Sequence, residues 1–385
     1  MDKRDVPFLS LGGEFDETDV EAATKVLRDA CTPAGNFFPL PEETDFQKAL
    51  AEHEGAACAV AVNSCGTALD LCMMALGIEP GDEVITTPLT FVCTAGTAVA
   101  RGARVVFADV DPVTLNLDPV SVRARITKRT RAILPVHFAG LPAEIGVFDA
   151  ISRESGVPVI YDAAHAVGAR YKGRPIGGAA QASCYSFQSN KNMTCLGEGG
   201  AVLTNDPEFA ERVRQKKTFG YVYGPKLRVV TIGFNYRMTK PQLAVGLSQL
   251  KKIDRVIAAR QARMVRMGEL LADVPEVRLP AGHGAGHGSH LYVIRLDTDR
   301  VRFTRDELQA RLKSGYGVGT VVHYPAVWSW EVFAEMGHSE ESAACPNAAK
   351  ACREVLSLPI FSRTTDDELQ YVAWAIKQAI HDLNR

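Results

Sequence analysis

From residue 56 onward, short apolar runs alternate with stretches of helical pattern, and this alternation limits the fold more than any other feature. The runs ACAVAV, EVITT, RVVFADV, RAILPV and VPVIYDA have the length of buried strands, and a helical stretch follows each of the first four. Asp118 before Pro119 begins a helix, and Gly156 ends one. Buried strands separated by helices predict a mostly parallel α/β sheet covered on both faces.

The rest of the chain is predicted to add an arm and a second domain. Residues 1 to about 50 are read as irregular, because the segment 32–44 is rich in Pro and Gly. A long helical run from about Thr239 to Ala272 is predicted to bridge two domains. Beyond it, LYVIRL, a helix near 304–314, GVGTVVHYP and a helix from Thr365 fit a small α/β domain. We expect a large domain of residues 1–255 with an N-terminal arm, and a small C-terminal domain of residues 256–385.

The composition limits the kinds of molecule that the protein is expected to bind. A formal charge of -2 gives no electrostatic footprint for nucleic acid or an anionic membrane, so the expected partners are small molecules. The nine cysteines include no CxxC pair, which predicts free thiols in a reducing compartment. The opening MDKRDVPFLSLGG lacks an apolar signal segment, and no run reaches the roughly 18 apolar residues of a membrane helix, so a cytoplasmic location is expected.

Three histidines cluster in the segment PAGHGAGHGSH, at positions 283, 287 and 290. A metal site is one interpretation of such a cluster. Without helical spacing and without a nearby cysteine or carboxylate, the segment is instead read as a mobile surface loop. No metal site is therefore predicted.

Two strand ends carry residues that suit a ligand. Gly66 and Thr67, in SCGTALDL, join a strand to a helix, whose first N–H groups can bind a phosphate or can simply begin a capped helix. Asp162 ends the run VIYDAAH, at the edge of the sheet where ligands of α/β proteins bind. A protonated pyridine nitrogen is one suitable partner for this carboxylate, and capping of the next helix is the alternative.

The third feature is Lys191, in the segment from Cys184 to Asn205. It lies on a polar turn between two strand-like runs, and a glycine-rich stretch closes the turn. A lysine amine made reactive by its surroundings forms Schiff bases with carbonyl compounds, including pyridoxal phosphate. Taken alone, one lysine among many is usually a solvated surface charge. The order of phosphate-type turn, ring-type aspartate and amine along one sheet favours a cofactor site.

Together these stretches resemble the DegT/DnrJ/EryC1/StrS aminotransferases, a keto-sugar branch of the pyridoxal-phosphate (PLP) enzymes with the aspartate aminotransferase fold. The matching pieces run along nearly the whole chain and occur in the family's order: SCGTALDL, GDEVITTPLTFVCTAGTAV, ADVDPVTLNLDP, AILPVHFAG, YDAAHAVGA, SFQSNK, GEGGAVLTN, GFNYRMTKPQLAVGLSQL and LSLP. The resemblance implies a PLP-dependent aminotransferase with a large sheet domain and a small C-terminal domain.

The resemblance also implies roles for individual residues. Lys191 matches the lysine that holds PLP as a Schiff base and shuttles the substrate proton. Asp162 matches the partner of the pyridine nitrogen, and His165 the residue near the cofactor's 3-hydroxyl. Phe91 matches the aromatic residue that stacks on the ring, although by itself it could be a core residue.

Other matches concern the phosphate and a second subunit. Gly66, Thr67 and Ser186 match contacts to the cofactor phosphate. Asn235, in GFNYRM, matches a residue that reaches the phosphate of the neighbouring subunit, which implies a homodimer with shared active sites. Substrate contacts are expected from aromatic and histidine side chains of the arm, the middle loop and the VVHYP segment: Phe37, Phe38, Tyr221, Tyr223, His323 and Tyr324.

The implied reaction moves an amino group from glutamate or glutamine to a keto sugar, expected to be nucleotide-linked. Gln188, where many sugar enzymes have histidine or tyrosine, resembles the branch with 3-amino-5-hydroxybenzoate synthases and cyclitol aminotransferases, so a keto-cyclitol or an aromatic precursor is an alternative acceptor. Related PLP-dependent sugar dehydratases replace the lysine with histidine, whereas Lys191 is present here. A non-catalytic PLP-binding regulator and a cofactor-free binding protein are further alternatives.

Overall fold

The structure is a computed structural model that describes residues 2–9, 11–38, 41–222, 224–282, 284 and 286–385. Its strands, in chain order, are β1 (Cys58–Val62), β2 (Glu83–Thr86), β3 (Arg104–Phe107), β4 (Thr130–Leu134), β5 (Ile160–Asp162), β6 (Arg170–Tyr171), β7 (Arg174–Pro175), β8 (Ala182–Ser186), β9 (Gly200–Thr204), β10 (Tyr221–Val222), β11 (Arg228–Val229), β12 (Val277–Arg278), β13 (Tyr292–Leu296) and β14 (Val355–Leu358). Its α-helices are α1 (Glu17–Ala30), α2 (Glu42–Glu54), α3 (Cys65–Leu76), α4 (Val92–Val99), α5 (Pro119–Arg123), α6 (Ile145–Ser155), α7 (Pro207–Lys217), α8 (Lys240–Leu250), α9 (Ile253–Leu271), α10 (Arg305–Tyr316), α11 (Glu331–Glu335), α12 (Glu340–Ala343), α13 (Pro346–Glu354) and α14 (Asp366–Leu383).

Seven strands form one sheet in the order β1-β9-β8-β5-β4-β2-β3. Parallel bridges from Ile133 to Val159 and from Val136 to Asp162 connect its two halves. Strand β9 runs antiparallel to both of its neighbours, while the β5–β8, β2–β3 and β2–β4 pairs are parallel. The predicted mostly parallel α/β sheet is therefore confirmed.

Both faces of this sheet are covered, as the apolar runs predicted. Along β1, Val60 and Val62 enter one core cluster and Ala59 and Ala61 enter the other, because successive side chains of a strand point to opposite faces. The predicted helix ends are also confirmed. The Asp118 carboxylate accepts a 2.9 Å hydrogen bond from the Val120 N–H at the start of α5.

The N-terminal 50 residues differ from the prediction, because helix α1 and the first part of helix α2 lie in this region. Helix α1 begins at a capping box in which the Asp16 carboxylate accepts from the Thr18 N–H at 3.0 Å and the Asp19 carboxylate accepts from the Asp16 N–H at 2.9 Å. Helix α2 buries Phe46 and Leu50, one turn apart. The Pro- and Gly-rich segment predicted as irregular is only the connection between them.

The predicted continuous helix from Thr239 to Ala272 is two helices, α8 and α9. Helix α8 ends in a tight turn in which the Lys252 N–H donates to the Gln249 carbonyl at 3.0 Å. The break places the Lys252 ammonium against the carboxylates of Asp16 and Asp19, at the first turn of α1.

Helix α9 begins in one core and ends in another. Its residue Ile257 packs with the large sheet, whereas Met264 and Leu271 pack in the C-terminal cluster around β13, β14, α10 and α14. Strands β12, β13 and β14 form a separate antiparallel sheet. The strand, the helix near 304–314 and the final helix predicted for this part are all present. A boundary at residue 255 stays a prediction.

Within the described ranges, no helix combines the length and the apolar character that crossing a membrane requires.

Candidate active site

The predicted cofactor residues meet at the carboxyl ends of β5 and β8. There the chain encloses a cavity of about 430 Å³ between the large sheet and the VVHYP segment. Six of the residues singled out from the sequence as cofactor contacts line it: Gly66, Phe91, Asp162, His165, Ser186 and Lys191. Strands of one sheet end at one edge, and this brings together residues that lie far apart in the sequence.

Asp162 lies at the floor of this cavity and is 4% exposed. Its carboxylate accepts a 2.7 Å hydrogen bond from the Thr94 hydroxyl and a 3.0 Å hydrogen bond from the Ala164 N–H. Burial raises the pKa of the Asp162 carboxyl, and the hydrogen bond from Thr94 opposes that shift. A buried carboxylate held in this way is suited to a cationic ligand group.

Lys191 projects into the same cavity from the turn after β8. The turn is fixed by backbone hydrogen bonds from Ser189 N–H to Gly197 O at 3.0 Å and from Gly12 N–H to Ser189 O at 2.8 Å. Burial lowers the pKa of the Lys191 amine to about 8, and the Asp162 carboxylate opposes this shift. About a tenth of the amine is therefore unprotonated at pH 7, far more than for an ordinary lysine, and the unprotonated amine is the Schiff-base nucleophile.

The phosphate-type turn has the predicted strand-to-helix position. The Ser64 hydroxyl caps α3 by accepting from the Thr67 N–H at 3.1 Å, and the Thr67 hydroxyl donates to the Asn63 side chain at 2.7 Å. The first N–H groups of a helix have no intrahelical acceptor, and here the residues that carry them, Cys65 and Gly66, line the cavity. The Thr67 side chain thus completes the helix cap, beside the cavity.

Phe91 is not a core residue, since it is 55% exposed on the cavity wall. Its ring lies 6.1 Å from the ring of Tyr324 in an edge-on arrangement. A large exposed apolar ring beside a cavity has a free face for a planar ligand.

His165, His323 and Tyr324 form a second wall. The Tyr324 hydroxyl lies 2.9 Å from His165 Nε2, and His323 Nδ1 lies 2.8 Å from the Ser357 hydroxyl. Among the described residues, nothing hydrogen-bonds the buried Nδ1 of His165. Burial lowers the pKa of His165 well below its ordinary value, so the ring is neutral. Tyr324, predicted as a substrate contact, also orients His165.

Four other predicted residues, Phe37, Phe38, Tyr221 and Asn235, lie outside this cavity of their own chain. Phe37 and Asn235 border a separate surface depression, and Tyr221 lies in the β10–β11 hairpin. The Asn235 side chain accepts a 2.9 Å hydrogen bond from Arg237 Nε. Phe38 lies beside Phe37 in the same depression, and Tyr223 falls outside the described residues.

The prediction of a mobile surface loop for the histidine-rich segment is wrong at its C-terminal end. His287 and His290 are 3% and 4% exposed, and His290 Nε2 lies 3.5 Å from Lys191 Nζ. The glycines explain the difference, because they let the segment pack directly on the backbone at Gly140, with Gly288 N–H donating to Gly140 O at 2.8 Å. His283 lies outside the described residues. No cluster of three His, Cys, Asp or Glu side chains suited to a metal ion occurs in the described ranges.

These residues fit PLP. The cavity offers helix N–H groups for a phosphate, the buried Asp162 for a protonated ring nitrogen and the Lys191 amine for an aldehyde. Phe91 presents an exposed ring face. The buried Nδ1 of His165, which has no hydrogen-bond partner among the described residues, can hydrogen-bond a substituent of the cofactor ring. The fold and the cavity together are those of a PLP-dependent aminotransferase.

Comparison with known proteins gives the family. The profile of the DegT/DnrJ/EryC1/StrS aminotransferase family matches residues 15–377. The chain is 37% identical over 374 residues to the spore coat polysaccharide biosynthesis protein SpsC of Bacillus subtilis (strain 168), with 94% of each chain covered. This chain therefore belongs to the DegT/DnrJ/EryC1/StrS aminotransferase family, and its cofactor is PLP.

Solved structures agree with this assignment. The crystal structure of DesV from S. venezuelae has a TM-score of 0.85 and 34% identity to this chain, over 94% of this chain and 93% of that chain. The structure of 3-amino-5-hydroxybenzoic acid synthase has a TM-score of 0.90 and 29% identity, over 98% of this chain and 100% of that chain. The predicted fold class and enzyme class are confirmed.

Proposed function

We propose that this enzyme moves an amino group from glutamate or glutamine to a nucleotide-linked keto sugar, in amino-sugar or natural-product biosynthesis. The observation that carries the proposal is the meeting of Lys191, with its lowered pKa, and the buried Asp162 in one cavity. The sugar class is supported by the likeness to SpsC, whose name places it in polysaccharide biosynthesis.

Each residue then has a role in proton transfer. Bound PLP supplies an electron sink for the carbon that carries the amino group. Asp162 holds a proton on the ring nitrogen, which makes that sink effective. Lys191 Nζ takes the proton from the donor carbon, holds it, and returns it on the other side of the transfer. The donor leaves as an oxoacid before the keto acceptor binds.

The donor half of the reaction gives a direct test. Addition of glutamate to the PLP-loaded protein should bleach the visible absorbance of the lysine-bound cofactor and release one 2-oxoglutarate for each site. Glutamine is assayed in parallel for its own oxoacid. A PLP-binding regulator without turnover would release none. The Lys191→Ala variant should show neither the reducible lysine-bound form nor turnover.

A keto-cyclitol or a 3-amino-5-hydroxybenzoate precursor is the second candidate acceptor. Gln188 lines the cavity, and its side-chain oxygen accepts a hydrogen bond from the Asn190 N–H at 2.9 Å. The likeness to 3-amino-5-hydroxybenzoic acid synthase supports this candidate. A panel of nucleotide-linked keto sugars and keto-cyclitols, offered to the amino form of the cofactor, separates the two by which class restores the visible absorbance.

We also propose that two copies of the chain share their active sites. Asn235, Phe37 and Tyr221 lie away from the cavity of their own chain, which supports the proposal that their expected contacts are made in the cavity of a partner. Asn235 lies next to exposed apolar side chains, which form a surface suited to association. These are Phe219, Leu227, Val229, Val230, Ile232 and Phe234.

A further inference from the structure

His290 is a polar neighbour of the Lys191 amine, and the proposed function gives it no role. His290 Nε2 lies 3.5 Å from Lys191 Nζ, and the His290 ring packs on the ring of His165 with centroids 4.7 Å apart. The two residues that make this contact are 99 positions apart in the sequence. The contact lies next to the group that must accept and release the substrate proton.

The backbone around His290 is anchored on several sides. The buried Arg260 guanidinium donates to Ser289 O at 2.8 Å and to His290 O at 2.6 Å. The Asn192 side chain, next to Lys191, donates to Gly288 O at 2.6 Å. This last bond ties the lysine turn to the histidine segment, so the two side chains keep one relative position.

Close packing makes that position unique. A Cβ atom on Gly140 would lie 2.9 Å from both the His165 carbonyl oxygen and the Ser289 nitrogen. Only glycine fits between these two segments, and its φ of 103° also lies in the region that favours glycine. The His290 ring is therefore placed by backbone contacts and not by a flexible loop.

The chemistry of His290 follows from its surroundings. Its charged neighbours are Lys191 and Arg260, and its other titratable neighbours are His165 and His323. Burial lowers the pKa of His290 well below its ordinary value, and the positive charge of Lys191 adds to this shift. A neutral imidazole accepts a hydrogen bond at Nε2 when its proton is on Nδ1, and the buried Nδ1 of His290 has no hydrogen-bond partner among the described residues.

We propose that His290 is a positioning residue for Lys191: its Nε2 accepts a hydrogen bond from Nζ–H, orients the lone pair of the amine toward the substrate carbon, and stabilises Nζ while it holds the transferred proton. The proposal rests on Lys191 being the cofactor lysine. When an N–H of the Lys191 amine is directed at His290, the lone pair of the amine is free to face the cavity. A proton on Nζ then has an acceptor in a site from which water is largely excluded.

The test compares two substitutions of equal length. His290→Gln keeps a polar atom at the position of Nε2, whereas His290→Met removes the acceptor and keeps the bulk. The proton on Nζ is titrated in the PLP-loaded protein through the visible absorbance of the lysine-bound cofactor. We expect the midpoint to fall by about one pH unit in His290→Met, because a hydrogen bond to a charged group is lost. His290→Gln should stay close to wild type.

Turnover gives the second readout. His290→Met should lower kcat roughly 10-fold with little change in the KM of the amino donor, because positioning acts on the proton transfer and not on binding. His290→Gln should recover most of kcat. The control is His381→Gln, an exposed histidine near the end of α14, which should match wild type in both measurements. Equal midpoints in the Met and Gln variants would overturn the proposal.

A third measurement requires no change at position 290. In PLP-loaded wild type and in Lys191→Ala loaded with PLP, ¹⁵N-histidine NMR should show a shift of the His290 Nε2 resonance and none for His381. An unshifted Nε2 resonance contradicts the contact even if a position-290 variant fails to fold. Borohydride reduction tests separately whether Lys191 is the cofactor lysine. If Lys191→Ala still traps PLP covalently, that assignment fails. If only the wild type traps PLP, the assignment holds, and the titration, turnover and NMR results then test the role of His290 alone.

Discussion

At the scale of single residues, the cavity is governed by burial acting on two opposite charges. Lys191 loses affinity for its proton because the site excludes water, and Asp162 gains affinity for the same reason. Each charge offsets part of the other's shift, and the Thr94 hydroxyl adds a hydrogen bond that favours the Asp162 carboxylate. The pair is therefore poised to exchange protons with a ligand near neutral pH.

The pH dependence of cofactor uptake follows from the lysine. Because only the unprotonated amine attacks an aldehyde, the rate at which the apoprotein forms its covalent adduct with PLP should rise with pH. Half of the maximum should be reached near pH 8, where the pKa of Lys191 lies, well below the ordinary value of 10.5. Stopped-flow absorbance measures this rate. A rate still rising steeply above pH 10 would mean that the amine is not buried.

Replacing Asp162, the proposed partner of the cofactor ring nitrogen, should lower turnover without lowering stability. Asp162→Asn keeps the shape of the side chain but removes the charge, so turnover should fall at least about 100-fold. PLP should still attach to Lys191, because the lysine and the helix N-terminus are unchanged. The melting temperature should not drop, since the buried charge itself is unfavourable. Asp367→Asn, at an exposed position, is the matched control. Unchanged turnover in Asp162→Asn would contradict the assigned role.

At the scale of elements, the parts that hold the site differ in how clearly the sequence marks them. The strand-and-helix alternation after residue 56 is marked by uninterrupted apolar runs and by helix caps such as Asp118. Helix α2 has only two large buried apolar residues, Phe46 and Leu50, within an acidic sequence. Yet α2 matters for the site, because the Phe46 ring packs on Phe187, just before the turn that carries Lys191.

The contribution of α2 can be measured at this contact. Phe46 is fully buried, with its ring 5.6 Å from that of Phe187. Phe46→Ala should lower the free energy of unfolding by about 3–5 kcal/mol, measured by urea denaturation. Val147→Ala, on the partly exposed face of α6, should change it by less than about 0.5 kcal/mol. A small effect at Phe46 would mean that α2 is not part of the core that supports the lysine turn.

At the scale of the whole molecule, the shared-site proposal predicts complementation. Lys191→Ala and Asn235→Ala should each be inactive alone. Random exchange of subunits makes half of the dimers mixed, and one site of each mixed dimer has both native residues, so the mixture should recover about a quarter of wild-type turnover. Subunit exchange is checked by differently tagged chains. No recovery in mixed dimers would place Asn235 and Lys191 in the same chain's site.

The sequence by itself determined the α/β alternation and the strand ends, and it singled out Lys191 and Asp162 as candidate site residues, because each of these depends on local pattern or on a motif contained in a few residues. The first 50 residues were predicted less well, since α1 and α2 are stabilised by packing on the body of the molecule more than by a long apolar repeat.

Only the tertiary structure decided which distant residues meet. No local signal places Thr94 against Asp162, Tyr324 against His165, or His290 against Lys191, since each pair joins segments that are 68 to 159 residues apart. The histidine-rich segment has the composition of a surface loop, and its burial results from glycines that allow two backbones to touch at Gly140. The composition of a segment indicates only its average preference for exposure or burial. Whether the segment packs closely depends on which other part of the chain lies against it.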